Sequence, residues 1–314
     1  MDTVSLSLPR QSTWSGQTFI PAPSLESFTT RFGHAFPVPQ FLESDLGNTA
    51  VYDLPAPSGR PKKPVLIVHG ACTPALGMIT LSRGLQKLDP DTHIVLYDLW
   101  GHGLSSTPLV AHTPQIFHAQ MFQVLSYMQW PQAHIIGFSF GGTTAMSFSV
   151  YNPQIPLSVI LAGSAGLMTK DICGKETARL LDAEGKDPEA IAAVQDWLEG
   201  GPLVVPEDWK EKMARGEIVA QALRKWELDE HHGYGHSILS MARYGGIFGR
   251  EELFKRLSKL KFKKLAIIGE LDEVCTKEQL AAVGIDRMEV IAGAGHDFIR
   301  TKAVEVAKIL NGFW

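Results

Sequence analysis

The feature that most constrains the fold of this chain is a series of short apolar segments separated by helical patterns. Short segments in which consecutive residues are all apolar place apolar side chains on both faces of a strand, and this is typical of strands buried inside a parallel sheet. Strands that alternate with helices form βαβ units, so the chain is predicted to be an α/β protein with a mostly parallel sheet and helices on both faces. The predicted strands cover residues 65–68, 93–98, 133–137, 157–163, 264–269 and 288–293.

Apolar residues at helical spacing occur between most of these strands, and a weaker alternating segment precedes them. The weaker segment, residues 48–53, predicts an antiparallel strand at the edge of the sheet. Residues 1–45 are rich in Ser, Thr, Pro and aromatic side chains, and we expect them to form an irregular lead-in. The predicted helices cover residues 114–129, 140–150, 276–283 and 301–311.

One stretch interrupts the alternation of strands and helices. Between Gly166 and Phe248, about 80 residues lack a strand pattern, which is far longer than an ordinary connection. Helical patterns fill this stretch, and Asp187 followed by Pro188 is a typical helix start. The predicted organisation is a lead-in over 1–45, a core over 46–166 and 248–314, and an inserted helical cap over 167–247.

The composition favours a soluble globular protein with a large core, because 45% of the residues are hydrophobic and 20% are charged. A formal net charge of -4 argues against a nucleic-acid partner. Cys72, Cys173 and Cys275 lie far apart and lack the spacing of a zinc site or a disulfide framework. No secretory signal pattern and no apolar run of membrane-spanning length is visible. We therefore expect a cytoplasmic protein with no membrane span and no metal site.

A glycine-flanked serine stands directly after the third predicted strand. The segment Gly137-Phe138-Ser139-Phe140-Gly141 follows an apolar strand and opens a helix, which is the context of a nucleophile elbow. The turn is sharp, so the residues two positions away must be small, and the helix N-terminus favours negative charge at the serine. A glycine-rich turn in which Ser139 only caps the helix is the structural alternative.

A base and an acid for this serine are expected at the same rim of the sheet, where the carboxyl ends of parallel strands converge. His296 follows the last predicted strand and is the expected base. Asp272 is preferred as the acid over Glu270 and Glu273, because it lies farther into its loop than Glu270. The order Ser139, Asp272, His296 along the chain is the order of one class of serine hydrolases.

An oxyanion hole requires two hydrogen-bond donors beside the nucleophile. The backbone N–H of Phe140 is expected to supply one donor. The N–H of Ala71, in the loop after the first strand, is expected to supply the other, with Cys72 as the alternative. His69, in the same loop, is interpreted as a hydrogen-bonded anchor and not as a base.

These motifs together resemble the α/β-hydrolase fold superfamily, in particular its capped single-domain members of the AB hydrolase-1 type. The resemblance implies an eight-stranded sheet, a Ser-His-Asp triad and no metal or organic cofactor. Two positions depart from the family pattern: Thr276 stands where proline is common, and Phe138 stands where His, Gln or Asn is common. The resemblance extends from Val65 to Trp314 and rests on His69-Gly70, residues 98–105, the Ser139 elbow, Gly269-x-x-Asp272 and Gly295-His296.

The resemblance implies hydrolysis of a small-molecule substrate but does not single out one reaction. Serine at the nucleophile position disfavours epoxide hydrolases and dehalogenases, which carry aspartate there. We expect cleavage of a carboxylic ester or lactone of small to medium size and moderately apolar character, through an acyl-enzyme. The alternatives are a C–C bond hydrolase acting on a β-diketone-like substrate and a hydrolase-like ligand receptor with little turnover. The predicted pocket residues are Phe138, Trp197, Trp226, Tyr234 and Tyr244.

Overall fold

The computed structural model describes residues 18–34, 37–183 and 187–314. Ten strands lie in this part of the chain. In chain order they are β1 Phe19–Ile20, β2 Gln40–Ser44, β3 Gly47–Leu54, β4 Lys63–Val68, β5 Thr92–Tyr97, β6 Thr107–Pro108, β7 Ala133–Phe138, β8 Pro156–Ala162, β9 Lys263–Gly269 and β10 Met288–Ile291.

Eight of these strands form one sheet in the order β10-β9-β8-β7-β4-β5-β3-β2. Neighbouring strands from β10 to β5 are parallel, whereas β3 runs antiparallel to both β5 and β2. The predicted α/β fold with a mostly parallel eight-stranded sheet is therefore confirmed. The strand predicted at 48–53 is β3. The prediction that it lies at the edge of the sheet is wrong, because β2 pairs along its outer side. Strands β1 and β6 form a separate antiparallel pair.

Thirteen α-helices accompany the strands in the described residues, along with two short 3-10 turns. The helices predicted over 114–129 and 140–150 are confirmed as α3 and α4. The helices are α1 Leu25–Phe32, α2 Ile79–Leu88, α3 Pro114–Tyr127, α4 Phe140–Tyr151, α5 Lys175–Asp182, α6 Asp187–Glu199, α7 Trp209–Ala214, α8 Ala220–Glu230, α9 Tyr234–Tyr244, α10 Glu251–Ser258, α11 Lys277–Ala282, α12 Phe298–Thr301 and α13 Ala303–Phe313.

The sheet is buried on both faces, as the apolar strands predict. Val65 and Ile67 of β4 point to one side, where they join a core cluster with residues of α2 and α13. Leu66 and Val68 point to the other side, where they join a cluster with residues of α3 and α4. Because side chains alternate along a strand, four consecutive apolar residues are needed to fill both cores.

The expectation of an irregular lead-in through residue 45 is wrong at α1 and β2, while residues 1–17, 35 and 36 lie outside the described part. Helix α1 is N-capped by Ser24, whose Oγ accepts a hydrogen bond from the amide of Ser27. Its two buried aromatic residues, Phe28 and Phe32, lie four positions apart and both pack against Trp226, at ring-centroid distances of 5.2 and 5.9 Å. A helix this short depends on such tertiary packing.

Five helices, α5 to α9, lie between β8 and α10. They fall in the segment predicted as an inserted cap, residues 167–247, which is called the helical insertion below. The two ends of the segment meet where Met168 and Phe248 form an isolated bridge. The insertion is attached to the segment after β5, because Ser237 Oγ donates to the Trp100 carbonyl oxygen at 2.9 Å. No helix in the described ranges is long and apolar enough to cross a membrane.

The contact between α4 and the end of β4 leaves no room for a side chain at Gly141. A Cβ atom at this position would lie 2.2 Å from the Val68 carbonyl oxygen and 2.4 Å from that of His69. Both neighbours are backbone atoms of a buried strand end, so they cannot move aside as a flexible side chain could.

We predict that Gly141→Ala lowers the free energy of unfolding by about 2 kcal/mol or more, because the added methyl group forces β4 and α4 apart. Gly312→Ala is the matched control, since Gly312 also lies in a helix but has no atom near its would-be Cβ. Urea unfolding of both variants measures the difference. Equal stabilities for the two variants would contradict the packing argument.

Candidate active site

Ser139 occupies a strained turn between β7 and α4. Its backbone has φ 55° and ψ -118°, a conformation that residues other than glycine rarely adopt. Hydrogen bonds on both sides hold it: its amide donates to the Ala162 carbonyl at 2.9 Å, and its carbonyl accepts from the amides of Gly142 and Ala165 at 2.9 and 3.0 Å. The turn therefore presents the Ser139 hydroxyl at the end of the sheet with its backbone fully anchored.

His296 connects Ser139 to Asp272. Its Nε2 lies 3.0 Å from Ser139 Oγ, and its Nδ1 lies 3.0 and 3.1 Å from the two Asp272 carboxylate oxygens. With the proton on Nδ1, the imidazole donates to Asp272 and accepts from the Ser139 hydroxyl. The Asp272 side chain is fully buried, and its Oδ1 also accepts from the amide of Val274 at 2.9 Å. The three expected residues are thus brought together in one hydrogen-bonded array.

The rival acids do not contact the imidazole. Glu270 is exposed, and its carboxylate accepts a hydrogen bond from the amide of Gly293 at 2.7 Å. Glu273 is also exposed. Of the three acids weighed from the sequence, Asp272 alone is buried beside His296.

Two further residues shape the surroundings of His296. The Phe138 ring stacks on the imidazole with centroids 5.0 Å apart and planes 27° apart, so this predicted pocket residue does lie at the site. A Cβ atom on Gly163 would lie 2.8 Å from Asp272 Oδ2 and 3.2 Å from the imidazole. Gly163 was missed in the sequence analysis; its only signal was a glycine at the end of β8.

The loop after β4 lies against the nucleophile. A Cβ atom on Gly70 would lie 3.0 Å from Ser139 Cβ. His69 is fully buried, with Nδ1 placed to donate to the Gly70 carbonyl at 2.7 Å while Nε2 accepts from the Leu99 amide at 2.8 Å. Burial lowers the pKa of His69 to about 3, so the ring stays neutral and anchors the loop. The next residue is Ala71, the expected oxyanion donor.

A buried carboxylate, Asp98, connects the segments around this loop and was also missed from the sequence. It accepts hydrogen bonds from the amides of Ala75 and Leu104 at 2.8 and 2.9 Å and from the Tyr52 hydroxyl at 2.6 Å. Burial raises its pKa to about 6. An acidic residue directly after an apolar strand was the available signal.

The other predicted pocket residues divide into one near the site and three elsewhere. The Tyr234 hydroxyl reaches the Ala71 carbonyl at 3.4 Å. Trp226 packs on α1, Trp197 lies against Phe248 at a centroid distance of 5.9 Å, and Tyr244 is 49% exposed. The structure does not bring these three to Ser139, because they hold the helical insertion to its neighbours or face the surface.

Charged side chains of the helical insertion approach the site instead. Arg224 of α8 pairs with Glu199 at 2.8 Å and lies close to the side chain of Cys72. Glu227, one turn later, is fully buried, and its Oε1 accepts from the Gly103 amide at 2.9 Å. Burial raises the pKa of Glu227 to about 8, with the Asp98 carboxylate adding to the shift. Buried charged side chains of the insertion therefore lie against the loops next to the site, Glu227 at the Gly103 amide and Arg224 beside Cys72.

No cluster of three or more His, Cys, Asp or Glu residues suited to a metal ion occurs in ranges 18–34, 37–183 and 187–314. Cys72, Cys173 and Cys275 are all free thiols. The acid-base array of Ser139, His296 and Asp272 is instead the arrangement that nucleophilic acyl transfer requires.

The profile of a family described as "Alpha/beta hydrolase family" matches residues 65–309 of this sequence. The chain belongs to the alpha/beta hydrolase family. Its core order, with the serine turn after β7, agrees with that membership.

Relatives of this alpha/beta hydrolase include several named enzymes. A 3-oxoadipate enol-lactonase 2 from Acinetobacter baylyi is 26% identical over 218 residues, which cover 69% of this chain and 75% of that protein. A putative 2-succinyl-6-hydroxy-2,4-cyclohexadiene-1-carboxylate synthase from Bacillus subtilis is 24% identical, over 68% of this chain and 77% of the relative.

Solved structures of other hydrolases share the fold. The enol-lactonase from Burkholderia xenovorans superposes with a TM-score of 0.66 at 16% identity, over 87% of this chain and 99% of that one. A meta-cleavage product hydrolase from Pseudomonas fluorescens has a TM-score of 0.60 at 18% identity, over 87% and 96% of the two chains. At these identities the similarity establishes the fold.

The buried Glu227 makes stability depend on pH in a direction that can be tested. The unfolded chain loses this proton near the ordinary pKa of 4.5, whereas the folded chain keeps it until about 8. The contribution of Glu227 to stability is therefore complete below 4.5 and is lost as the pH rises through 8. We predict that Glu227→Gln unfolds at a higher temperature than the unmodified protein at about pH 9, and that the gap shrinks toward about pH 5.

Thermal unfolding across this pH range is the measurement, with Glu211→Gln as the control because Glu211 is an exposed residue of α7. The control should follow the unmodified protein at every pH. A Glu227→Gln curve parallel to that of the unmodified protein would rule out the proposed burial effect.

Proposed function

We propose that this chain is a serine hydrolase that cleaves a carboxylic ester or lactone. The observation that carries the proposal is the placement of His296 between Ser139 and a buried Asp272, with contacts of 3.0 Å on both sides. A serine hydroxyl is a weak nucleophile at neutral pH unless a base accepts its proton as it attacks. The array supplies that base and an acid that orients it.

In the proposed first step, Ser139 Oγ attacks the substrate carbonyl and its proton passes to His296 Nε2. The imidazole becomes positively charged, and the Asp272 carboxylate at Nδ1 stabilises that charge. His296 then donates the proton to the leaving alcohol oxygen, which leaves an acyl group on Ser139. In the second step, water loses its proton to His296 as it attacks the acyl carbonyl, and His296 returns a proton to Ser139 Oγ as the bond to the acyl group breaks and the acid is released.

The negative oxygen that forms in each step requires preorganised donors. We propose the backbone amides of Phe140 and Ala71, with Cys72 as the alternative to Ala71. Phe140 is the first residue of α4, so its amide belongs to the unpaired N–H groups of a helix start. Gly70 lies close to Ser139, which supports a position for the next residue, Ala71, on the side of the substrate carbonyl opposite the Phe140 amide.

We further propose that the helical insertion, residues 167–247, acts as a cap over this site. Two contacts support this role: the Tyr234 hydroxyl lies 3.4 Å from the Ala71 carbonyl, and Glu227 accepts from the Gly103 amide. A cap excludes water from the reacting carbonyl and selects the substrate by its lining.

Ester or lactone cleavage is preferred over C–C bond cleavage because two similar proteins of different species are named enol-lactonases. The same array would serve a C–C bond hydrolase acting on a β-diketone-like substrate, so turnover must decide between them. Hydrolysis of nitrophenyl esters or lactones would support the proposal, and turnover of β-diketones alone would favour the alternative. Ligand binding without turnover of either class would indicate a receptor.

We predict that Ser139→Ala lowers kcat on any hydrolysed ester by about 10⁴-fold or more, because the attacking oxygen is removed. A fluorophosphonate probe should label the unmodified protein on Ser139 and leave Ser139→Ala unlabelled, as read by peptide mass mapping. Ser126→Ala, an exposed serine at the end of α3, is the control and should retain labelling and activity. Full activity in Ser139→Ala would refute the assignment.

The acid can be tested separately by two amide substitutions within one loop. We predict that Asp272→Asn lowers kcat by about 10⁴-fold, because the amide favours the wrong tautomer of His296. Glu270→Gln changes a carboxylate two residues away that contacts Gly293 instead, so its kcat should stay within about twofold. Equal losses in the two variants would show that general charge, not the contact with His296, matters.

A further inference from the structure

A polar cavity of about 570 Å³ lies beside the proposed catalytic array, between the helical insertion and the segment that follows His296. One wall comes from the α7–α8 connection and the start of α8, including Arg224. The opposite wall comes from the segment of Asp297, Arg300 and Thr301. The cavity is connected to the array through Arg300, which lies over the Phe138 ring, and through that ring, which stacks on His296.

Arg300 is a charged group of this cavity that approaches the array. Its guanidinium carbon sits 5.7 Å from the centroid of the Phe138 ring, and that ring stacks on His296. Within the part of the chain that the structure describes, the Arg300 side chain has no ion pair and no hydrogen bond. Its ring contact is a weak interaction for a guanidinium, and no carboxylate of the described residues lies at ion-pair distance from it.

Arg224 places a second guanidinium near the first. One of its terminal nitrogens pairs with Glu199 at 2.8 Å, and the other donates to the Leu198 carbonyl at 2.8 Å. Burial lowers the pKa of Arg300, and the nearby charge of Arg224 lowers it further. The Asp297 carboxylate raises the pKa of Arg300 by more than Arg224 lowers it, but Asp297 is exposed and forms no ion pair with Arg300.

A half-buried guanidinium with free donors matches the planar, two-oxygen geometry of a carboxylate. We propose that this cavity receives a carboxylate group of the substrate, bound by Arg300 and drawn in by Arg224. The inference rests on the proposed function, because it assigns the ester or lactone an anionic substituent that lies apart from the bond to be cleaved. The substrate is thus a monoester or lactone of a dicarboxylic acid and not a neutral apolar ester.

The test compares charged and neutral esters of equal shape. The charged probes are the mono-4-nitrophenyl esters of adipate, pimelate and suberate, and each neutral partner carries a carboxamide in place of the free carboxylate. The unmodified protein should have a higher kcat/KM for the acid than for the amide at the best chain length. Arg300→Gln should lower kcat/KM for that acid by about tenfold or more and change the amide by less than about twofold.

Two further variants separate charge from structure. Arg300→Lys keeps the positive charge and should retain part of the preference for the acid. Arg256→Gln makes the same change far from the site, where Arg256 lies over the Tyr151 ring, and should alter neither substrate. Equal turnover of acid and amide by the unmodified protein, or equal losses on both in Arg300→Gln, would overturn the inference. Equal turnover of acid and amide by the unmodified protein would overturn the inference even if Arg300→Gln does not fold.

Failure of the proposed function would give a different result. If no ester is hydrolysed, the proposed function is wrong for these substrates, and calorimetric binding of adipate, pimelate and suberate to Ser139→Ala then tests the cavity alone. Binding of one dicarboxylate that is lost when Arg300→Gln is added supports the carboxylate site. Absence of binding of all three overturns it.

Discussion

The arrangement of the site depends on one costly backbone conformation, that of Ser139. A positive φ at a serine is unfavourable on its own and persists only because the surrounding structure over-determines it. Here backbone hydrogen bonds to its amide and its carbonyl hold the residue, and the absence of side chains at Gly137 and Gly141 lets α4 approach the ends of β4 and β7. The strain aims the hydroxyl away from the sheet, toward the imidazole of His296. Loss of this close packing would therefore affect the chemistry as well as the stability.

The remaining parts of the array meet because of the sheet's topology. Strands β7, β9 and β10 are parallel, so the loops that follow them end at the same rim. Ser139 directly follows β7, whereas Asp272 and His296 lie in the loops that follow β9 and β10. The shared rim explains why residues so distant in sequence could be expected to meet. The fold could be predicted because buried parallel strands have a strong apolar signal, and the serine turn could be located because a glycine-flanked serine after such a strand has few alternative structures.

The sequence was less informative wherever tertiary contacts decide the outcome. Helix α1 has only two buried residues, Phe28 and Phe32, and its stability comes from Trp226, which lies far along the chain. The same contact explains why Trp226 does not line the site. Aromatic residues in the helical insertion indicate only that this segment packs against an apolar surface. That surface can belong to the rest of the protein as readily as to a bound substrate. Nothing in the local pattern around Arg300 signals that its guanidinium lacks a carboxylate partner.

The polar character of the insertion changes how selectivity at this site is best understood. An apolar lid would discriminate weakly, because one methylene group contributes only about 1–3 kcal/mol to the difference between substrates. Charged groups held in a low-dielectric cavity discriminate more strongly, since a ligand without the matching group leaves them unpaired. Arg224 and Glu227 lie one turn apart on α8, and one faces the cavity beside the array while the other contacts the Gly103 amide. Helix α8 thus carries both Glu227, which attaches the insertion to Gly103, and Arg224, whose charge would help to select the substrate. Any movement of α8 would therefore alter both contacts together.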